Sequence, residues 1–229
     1  MKIHRFYHSI PQKEKGVVLL KDKDLVSQIR RVLKLVPKEK IEIFDGTGLS
    51  ALCTIDSFTK DGIHVFVDQV TQENDIEKQI TLYLAVLKKE HFEMVVQKAT
   101  EIGVSTIIPV ITSRTVKLGL NMNRLHKIAT EASEQSGRVT VPEIKDSLTF
   151  YEALKNMPTF DRILFCDPRG DLYTPKESST IAVFIGPEGG WSDDEIEHAH
   201  TIGAEYITFN TPVLRAETAA IIGTYIATL

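Results

Sequence analysis

Phe184-Ile185-Gly186-Pro187-Glu188-Gly189-Gly190-Trp191-Ser192-Asp193-Asp194-Glu195 is the stretch from which the fold of this chain can be read. The residues leading into it, 180–185, are a short, β-branched and apolar run, the pattern of a buried parallel strand. The chain then breaks into a loop with three glycines and a proline. Ser192, with Glu195 three positions later, makes a capping box that starts a helix. A strand, a glycine loop and a helix N-terminus in that order leave backbone N–H groups pointing into the space beyond the strand, where a ligand can sit. The same letters also describe a tight strand-to-helix turn without a ligand, so the loop needs a companion signal.

Working outward, the chain from Gln79 alternates strands with amphipathic helices, the rhythm of a parallel sheet with helices on its faces. Strands are predicted over 80–87, 106–111 and 162–166. Phe92, Val95, Val96, Ala99 and Ile102 form one helical stripe closed by Gly103, and Leu125, Ile128, Ala129 and Ala132 mark a second helix that ends at Gly137. Thr149 and Glu152 cap a short third helix. Beyond the glycine loop, Gly203 stops the helix begun at Ser192, residues 206–209 give a last strand, and 216–228 a last helix. The first part of the chain has a different texture. Candidate strands lie at 16–20, 40–44, 51–55 and 63–70, with a turn at Asp45-Gly46-Thr47-Gly48 and one helical segment, 24–35, carrying Leu25, Ile29, Val32 and Leu33. Short strands around a single helix read as a small barrel rather than half of a dinucleotide-binding fold. The polar segment 71–77 is the expected linker, giving domains at 1–72 and 73–229.

Charge divides the chain in the same way. Residues 1–40 hold eleven Lys and Arg against four acids, a net of +7, so the remainder carries −11 to reach the total of −4. That asymmetry directs the first domain towards a polyanion, although a solvated lysine-rich face has the same composition. Cys53 and Cys166 are too few for a disulfide framework or a zinc site, and no His or Cys spacing matches a metal motif. No apolar run approaches the ~20 residues of a membrane span, and no charged-then-apolar leader is present. A soluble, cytoplasmic protein without membrane or metal is expected. The glycine loop fits neither G-x-x-x-x-G-K-[ST] nor G-x-G-x-x-G, and Ser192 is not in a G-x-S-x-G elbow. His198 and His200 read as surface residues of an amphipathic helix.

The companion signal is Val213-Leu214-Arg215-Ala216-Glu217-Thr218-Ala219-Ala220, again just past a strand and at a helix start. Together the two loops resemble the signature pair of the SPOUT class of S-adenosylmethionine-dependent RNA methyltransferases, and within it the family that methylates uracil N3 in 16S ribosomal RNA of the small subunit. The likeness runs through nearly the whole chain. It takes in Gln97-Lys98-Ala99-Thr100-Glu101-Ile102-Gly103-Val104, Glu131-Ala132-Ser133-Glu134-Gln135-Ser136-Gly137-Arg138 and Val141-Pro142-Glu143-Ile144. Near the start it includes Arg5-Phe6-Tyr7-His8, Arg31-Val32-Leu33 and Phe44-Asp45-Gly46. The chain departs from the family at Phe209-Asn210-Thr211-Pro212, where Leu-Gly-x-Arg is usual, and at Lys34, where Arg is frequent. Asn210 can take up the glycine's turn, whereas Pro212 removes a cation and Lys34 keeps the charge without the bidentate fork.

The resemblance implies an α/β chain: a small N-terminal PUA-like β-barrel, then a SPOUT methyltransferase domain with a parallel sheet and a C-terminal trefoil knot. It further implies a homodimer, with S-adenosyl-L-methionine bent in the knot and its adenine held by main-chain groups. Leu164, Ile185, Gly186, Pro187, Glu188, Gly189, Gly190, Leu214 and Thr218 are then the cofactor-binding residues. Arg215 is expected to stabilise a uracil anion or bind its phosphate, with a structural pairing to Glu217 as the plainer role. Glu217 would act in catalysis or only cap the last helix. Arg5, Tyr7, Arg30, Arg31 and Lys34 fall on the RNA-binding surface as cations for phosphate and an aromatic for stacking, with Tyr7 alternatively in the barrel core. Glu134, Gln135 and Arg138 end the second helix with polar groups that would face RNA, the other subunit or solvent. The implied partners are 16S ribosomal RNA or the assembled small subunit, and a second copy of the chain. Two other readings stand beside this one: a related methyltransferase acting on a ribose hydroxyl or a tRNA guanine, and an RNA-binding assembly protein without catalysis.

Overall fold

The computed structural model describes residues 3–10, 16–73, 77–116 and 119–229. The chain forms two compact units, one of residues 1–75 with 133–141, the other of 76–132 with 142–229.

The first unit contains β1 (His4–Tyr7), β2 (Gly16–Leu20), α1 (Lys23–Ser27), β3 (Lys40–Phe44), β4 (Leu49–Phe58) and β5 (Ile63–Gln72). In the part for which a small barrel was expected, the strands pair into one five-stranded sheet in the order β1-β3-β4-β5-β2. Pairing is antiparallel except between β1 and β3. The apolar faces of these strands alternate inward, so Phe6, Leu20, Ile41, Ile43, Ile55 and Ile63 are sealed together with Leu25 and Ile29 from the helical segment. That segment is shorter than its periodicity predicts. The Asp22 carboxylate accepts the Leu25 N–H at 2.8 Å to start α1, the coil then widens into a π-turn over Gln28–Val32, and Lys34 leaves it at φ 55°. The wider turn keeps Ile29 in the core while Arg30 and Arg31 stay exposed. Of the expected linker, Thr71 and Gln72 belong to β5, and 74–76 lie outside the described residues. Residues 133–141 are tied into this unit by Arg5 Nη1 on the Gly137 carbonyl (2.5 Å), by the Tyr7 N–H on Glu134 Oε1 (2.8 Å) and by bridges from Gly46 and Thr47 to Thr140.

The second unit adds β6 (Gln79–Ala85), α2 (Lys89–Ile102), β7 (Thr106–Ile111), α3 (Met122–Ser136), β8 (Glu143–Ile144), β9 (Leu148–Thr149), α4 (Phe150–Ala153), β10 (Arg162–Leu172), β11 (Thr180–Ile185), α5 (Asp193–Thr201), β12 (Glu205–Thr208) and α6 (Ala216–Ala227). The last turn of α3 counts with the first unit. Every strand pair is parallel, in the order β12-β10-β11-β6-β7-β8, with β9 also on β7. Alternation along the strands sends side chains to both faces. Tyr83, Phe165 and Phe184 stack on one face in a cluster with Phe150 of α4 and Ala199 of α5, Tyr83 and Phe184 lying parallel at 4.4 Å. Val183 and Ile185 point the other way, against α6, which comes close because Gly223 carries no Cβ; one there would stand 3.2 Å from Ile185 Cδ1.

Strand β10 runs well beyond the predicted 162–166. Its pairing with β12 breaks after Cys166 and resumes at Asp171, so residues 167–170 bulge out of the ladder. At the other end of β10, Arg162 is 5% exposed and donates from Nε and Nη2 to both Glu205 oxygens at 2.9 Å, with Lys176 Nζ on the same carboxylate at 2.8 Å. No helix among the described residues is long and apolar enough to cross a membrane.

Candidate active site

A cavity of about 710 Å³ opens beyond the carboxyl ends of β6, β10, β11 and β12, the edge at which parallel α/β sheets take their ligands. Lys88 and His91 line it after β6, residues 166–168 at the β10 bulge, 185–188 with Gly190 and Trp191 after β11, and 207–209, 211–217 and Ala219 from β12 into α6. The two sequence motifs, 186–190 and 214–218, are therefore walls of one cavity.

The glycines of the loop have reasons that the chain alone does not disclose. A Cβ on Gly186 would stand 3.0 Å from Trp191 Cε2, so the indole needs a bare backbone there. That ring is 3% exposed, lies 4.4 Å from Phe165, and donates from Nε1 to the Cys166 carbonyl at 3.1 Å, binding the β11 loop to the β10 bulge. Gly190 closes a turn, its N–H on the Pro187 carbonyl at 2.8 Å with φ 70°. Gly189 faces away from the cavity, and its carbonyl accepts Arg114 Nη1 at 2.6 Å. Of the expected cofactor residues, Ile185, Gly186, Pro187, Glu188, Gly190 and Leu214 line the wall, whereas Leu164, fully buried in β10, Gly189 and the exposed Thr218 do not.

The helix that offers its N-terminus is also a different one. At α5 the capping box is complete: Glu195, 1% exposed, accepts the Ser192 N–H at 2.9 Å and reaches Ser113 N–H at 2.8 Å. With Asp193, Asp194 and Glu195 in its first turn, that terminus is closed to an anion. The cavity is instead approached by the N-termini of α2 and α6, whose caps, Lys88 and Arg215, make no side-chain capping bond. Both leave N–H groups for a ligand.

Three side-chain arrangements stand on this wall. Arg215 is exposed and, among the described residues, its guanidinium makes no hydrogen bond or ion pair, so the structural pairing with Glu217 does not form. Glu217, 8% exposed at its side chain, turns instead to His91, with Nδ1 to Oε2 at 3.6 Å. Asp167 at the bulge is gripped by Arg169 through Nε at 2.8 Å and Nη2 at 3.0 Å. Burial pushes the Asp167 carboxyl up, and these hydrogen bonds more than reverse that, holding it below the usual carboxylate range. Among the described residues no group of three or more His, Cys, Asp or Glu is placed to hold a metal ion.

Residues 74–227 match the RNA methyltransferase domain family. A ribosomal RNA small subunit methyltransferase E of Bacillus subtilis is 31% identical to 85% of this chain, over 83% of its own length. The enzyme of that name from Rickettsia conorii is 29% identical, over 96% of this chain and 93% of its own. The chain belongs to the ribosomal RNA small subunit methyltransferase E family. Its fold agrees, with a TM-score of 0.89 to the Neisseria gonorrhoeae member bound to S-adenosyl methionine, at 29% identity over 99% of this chain and 96% of that one.

For a member of this family, the expected RNA surface is only partly free. Arg30, Arg31 and Lys34 are exposed, the Arg30 guanidinium 5.6 Å above the Phe58 ring. Tyr7 is 46% exposed, which removes the alternative of a core position, and its ring meets Phe44 edge-on. Arg5 reaches Gly137 and Glu42, the latter at 3.3 Å, with 20% of its side chain exposed, and Arg138 is 7% exposed with Nη2 on Thr140 Oγ1 at 2.9 Å, so both also hold their unit together. His198 and His200 are exposed, as their spacing predicts. The sequence reading missed Lys88, His91, Asp167 and Pro168 on the cavity wall. Lys88 and His91 lie in the turn and first helical turn after β6, and Asp167 and Pro168 come just past the predicted strand 162–166, at the bulge of β10, so the rule that ligands bind beyond strand carboxyl ends would have singled them out.

Proposed function

We propose that this chain methylates the N3 of a uracil base in 16S ribosomal RNA of the small subunit, using S-adenosyl-L-methionine. The observation that carries the reading is the meeting of the 186–190 and 211–217 segments on one cavity at the carboxyl edge of a parallel sheet. The wall suits that cofactor: apolar Ile185, Pro187 and Leu214 for a flat heterocycle, open backbone N–H groups at α6, and Glu188 for a cationic centre. When bound, the cofactor supplies an electrophilic methyl group on a sulfonium. The chain's part is to position the base and stabilise the charge that develops on it, and Arg215, unpaired and on the wall, is the donor for a uracil oxygen or its phosphate. Arg30, Arg31, Lys34 and Tyr7 supply cations and a stacking face for RNA.

On this reading residues 1–72 form a PUA-like barrel that grips RNA, and 73–229 a trefoil-knotted methyltransferase domain that works as a cytoplasmic homodimer on 16S ribosomal RNA or the assembled subunit. Mass-spectrometric mapping of ribosomal RNA from a deletion strain tests the reaction. One N3-methyluridine should vanish from 16S RNA and return with the wild-type gene; an unchanged 16S map, or loss of a ribose methyl, overturns it.

A further inference from the structure

The cavity is lined by one partly exposed imidazole that lies beside a buried carboxylate, and it is not a residue that the motifs point to. Methylation at N3 requires that the imide proton leave, so some group must take it. Lys88 and Arg215 are already protonated and act as cations. The Cys166 thiol is pushed far up by burial, with Asp167 adding to it, and offers no thiolate. Asp167 is occupied by three hydrogen bonds from Arg169. Glu188 is exposed, with no described side chain to orient it. Glu217 is 8% exposed and directed at His91.

His91 differs from all of these. Its Nδ1 atom is buried beside the carboxylate, yet 32% of the side chain remains open, and the residue lines the cavity. A carboxylate next to Nδ1 selects the tautomer that carries its proton there, which leaves the lone pair on Nε2. The 3.6 Å separation is just beyond hydrogen-bond length, and contacts of this kind tighten when substrate fills the site. The two residues come from the first turns of α2 and α6, helices that pack on each other, so the pair rests on rigid elements.

The geometry points to His91 as the proton acceptor of the reaction and to Glu217 as the residue that orients it. This inference rests on the uracil-N3 reading above. The N3–H bond breaks with its proton passing to His91 Nε2, the N3 electron pair forms the bond to the methyl carbon, and the sulfonium–methyl bond breaks to leave a neutral thioether. The imidazolium, facing Glu217, then returns the proton to solvent. Lys88 and Arg215 flank the site as cations and favour the deprotonated base.

The test uses the full chain and 16S RNA. His91→Ala should lower kcat by about 10²–10⁴, the usual share of general-base catalysis, with S-adenosyl-L-methionine affinity by calorimetry changed less than about threefold. Added imidazole should restore part of the rate in proportion to its concentration. Independently of activity, ¹⁵N NMR of the imidazole ring should show Nδ1–H in the wild type and a mixed or Nε2–H tautomer in Glu217→Ala. His91→Gln, whose melting temperature certifies the fold, repeats the kinetic arm. An Nε2–H ring in the wild type, a retained kcat, or a loss of rate matched by loss of cofactor affinity without imidazole rescue would each overturn the assignment. Mapping of the wild-type product separates the two claims: methylation elsewhere than N3 refutes the reaction, whereas N3-methyluridine made at full rate by His91→Ala refutes only the dyad.

Discussion

A methyl group added at two glycines three positions apart in one loop should have opposite consequences. In Gly186→Ala it would stand 3.0 Å from Trp191 Cε2 and push the indole off its bond to the Cys166 carbonyl. Overpacking of that kind costs about 1–3 kcal/mol, so the melting temperature should fall and S-adenosyl-L-methionine affinity drop at least tenfold. In Gly189→Ala the new carbon meets only the Arg114 side chain, 3.5 Å away at an exposed site, and both quantities should hold. Equal losses at the two positions would mean that Trp191 is not what shapes the wall. Arg215→Ala is a third kind of change. With no partner to lose, stability should move by less than about 0.5 kcal/mol, while turnover drops by about two orders of magnitude and Arg215→Lys rescues only part. A loss of cofactor affinity as large as the loss of rate would make Arg215 a binding group instead. The motif letters were legible in the chain, but their reasons were not: Gly186 answers to an indole that returns across the turn, and His91 meets Glu217 only because α2 packs on α6.

Elements that end in strong local signals are legible in the sequence, and those decided by distant pairing are not. The caps Ser192 with Glu195 and Thr149 with Glu152, and the stops at Gly103 and Gly137, stand where their letters put them because each is settled within four residues. Strand β1 escaped notice because it is four residues long and pairs in parallel with β3, more than thirty residues away. The bulge in β10 carries pairing past Pro168, where the missing N–H would ordinarily end a ladder. The start of this strand also gives a prediction for acid. Hydrogen bonds from Arg162 against the cost of burial, with Lys176 adding, hold the Glu205 carboxyl down at about 2, below its ordinary 4.5. A carboxyl depressed on folding contributes stability above the unfolded value and loses it as pH falls through the folded one. The urea midpoint should therefore fall between pH 4.5 and 2, and Glu205→Gln should flatten that part of the curve while lowering the midpoint at pH 7. A mutant curve parallel to that of the wild type would remove the clamp from the acid response.

At the scale of the molecule, the +7 of residues 1–40 against −11 elsewhere makes that segment the face on which the proposed RNA capture can be tested. Replacing Arg30 and Arg31 together with Glu should flatten the slope of log K for RNA against log salt by about 1–2; an unmoved slope would assign these charges to solvation. Division of the chain near residue 75 could be anticipated from composition, but the membership of 133–141 in the first unit could not, since it depends on contacts with Arg5, Tyr7 and Gly46 far upstream. That membership bears on descent as well as on folding. The backbone passes between the units after residues 75, 132 and 141, so neither unit is one uninterrupted stretch of gene. A recombination event with a single crossover near residue 75 would deliver the first unit without Val139 and Thr140, which are buried, and would leave the other carrying a segment that has lost its mates. Cassettes are shuffled where one seam suffices. A chain with three seams is inherited whole, and substitutions at 133–141 should track those at residues 5–7 and 44–47 through the lineage rather than those of their neighbours in sequence.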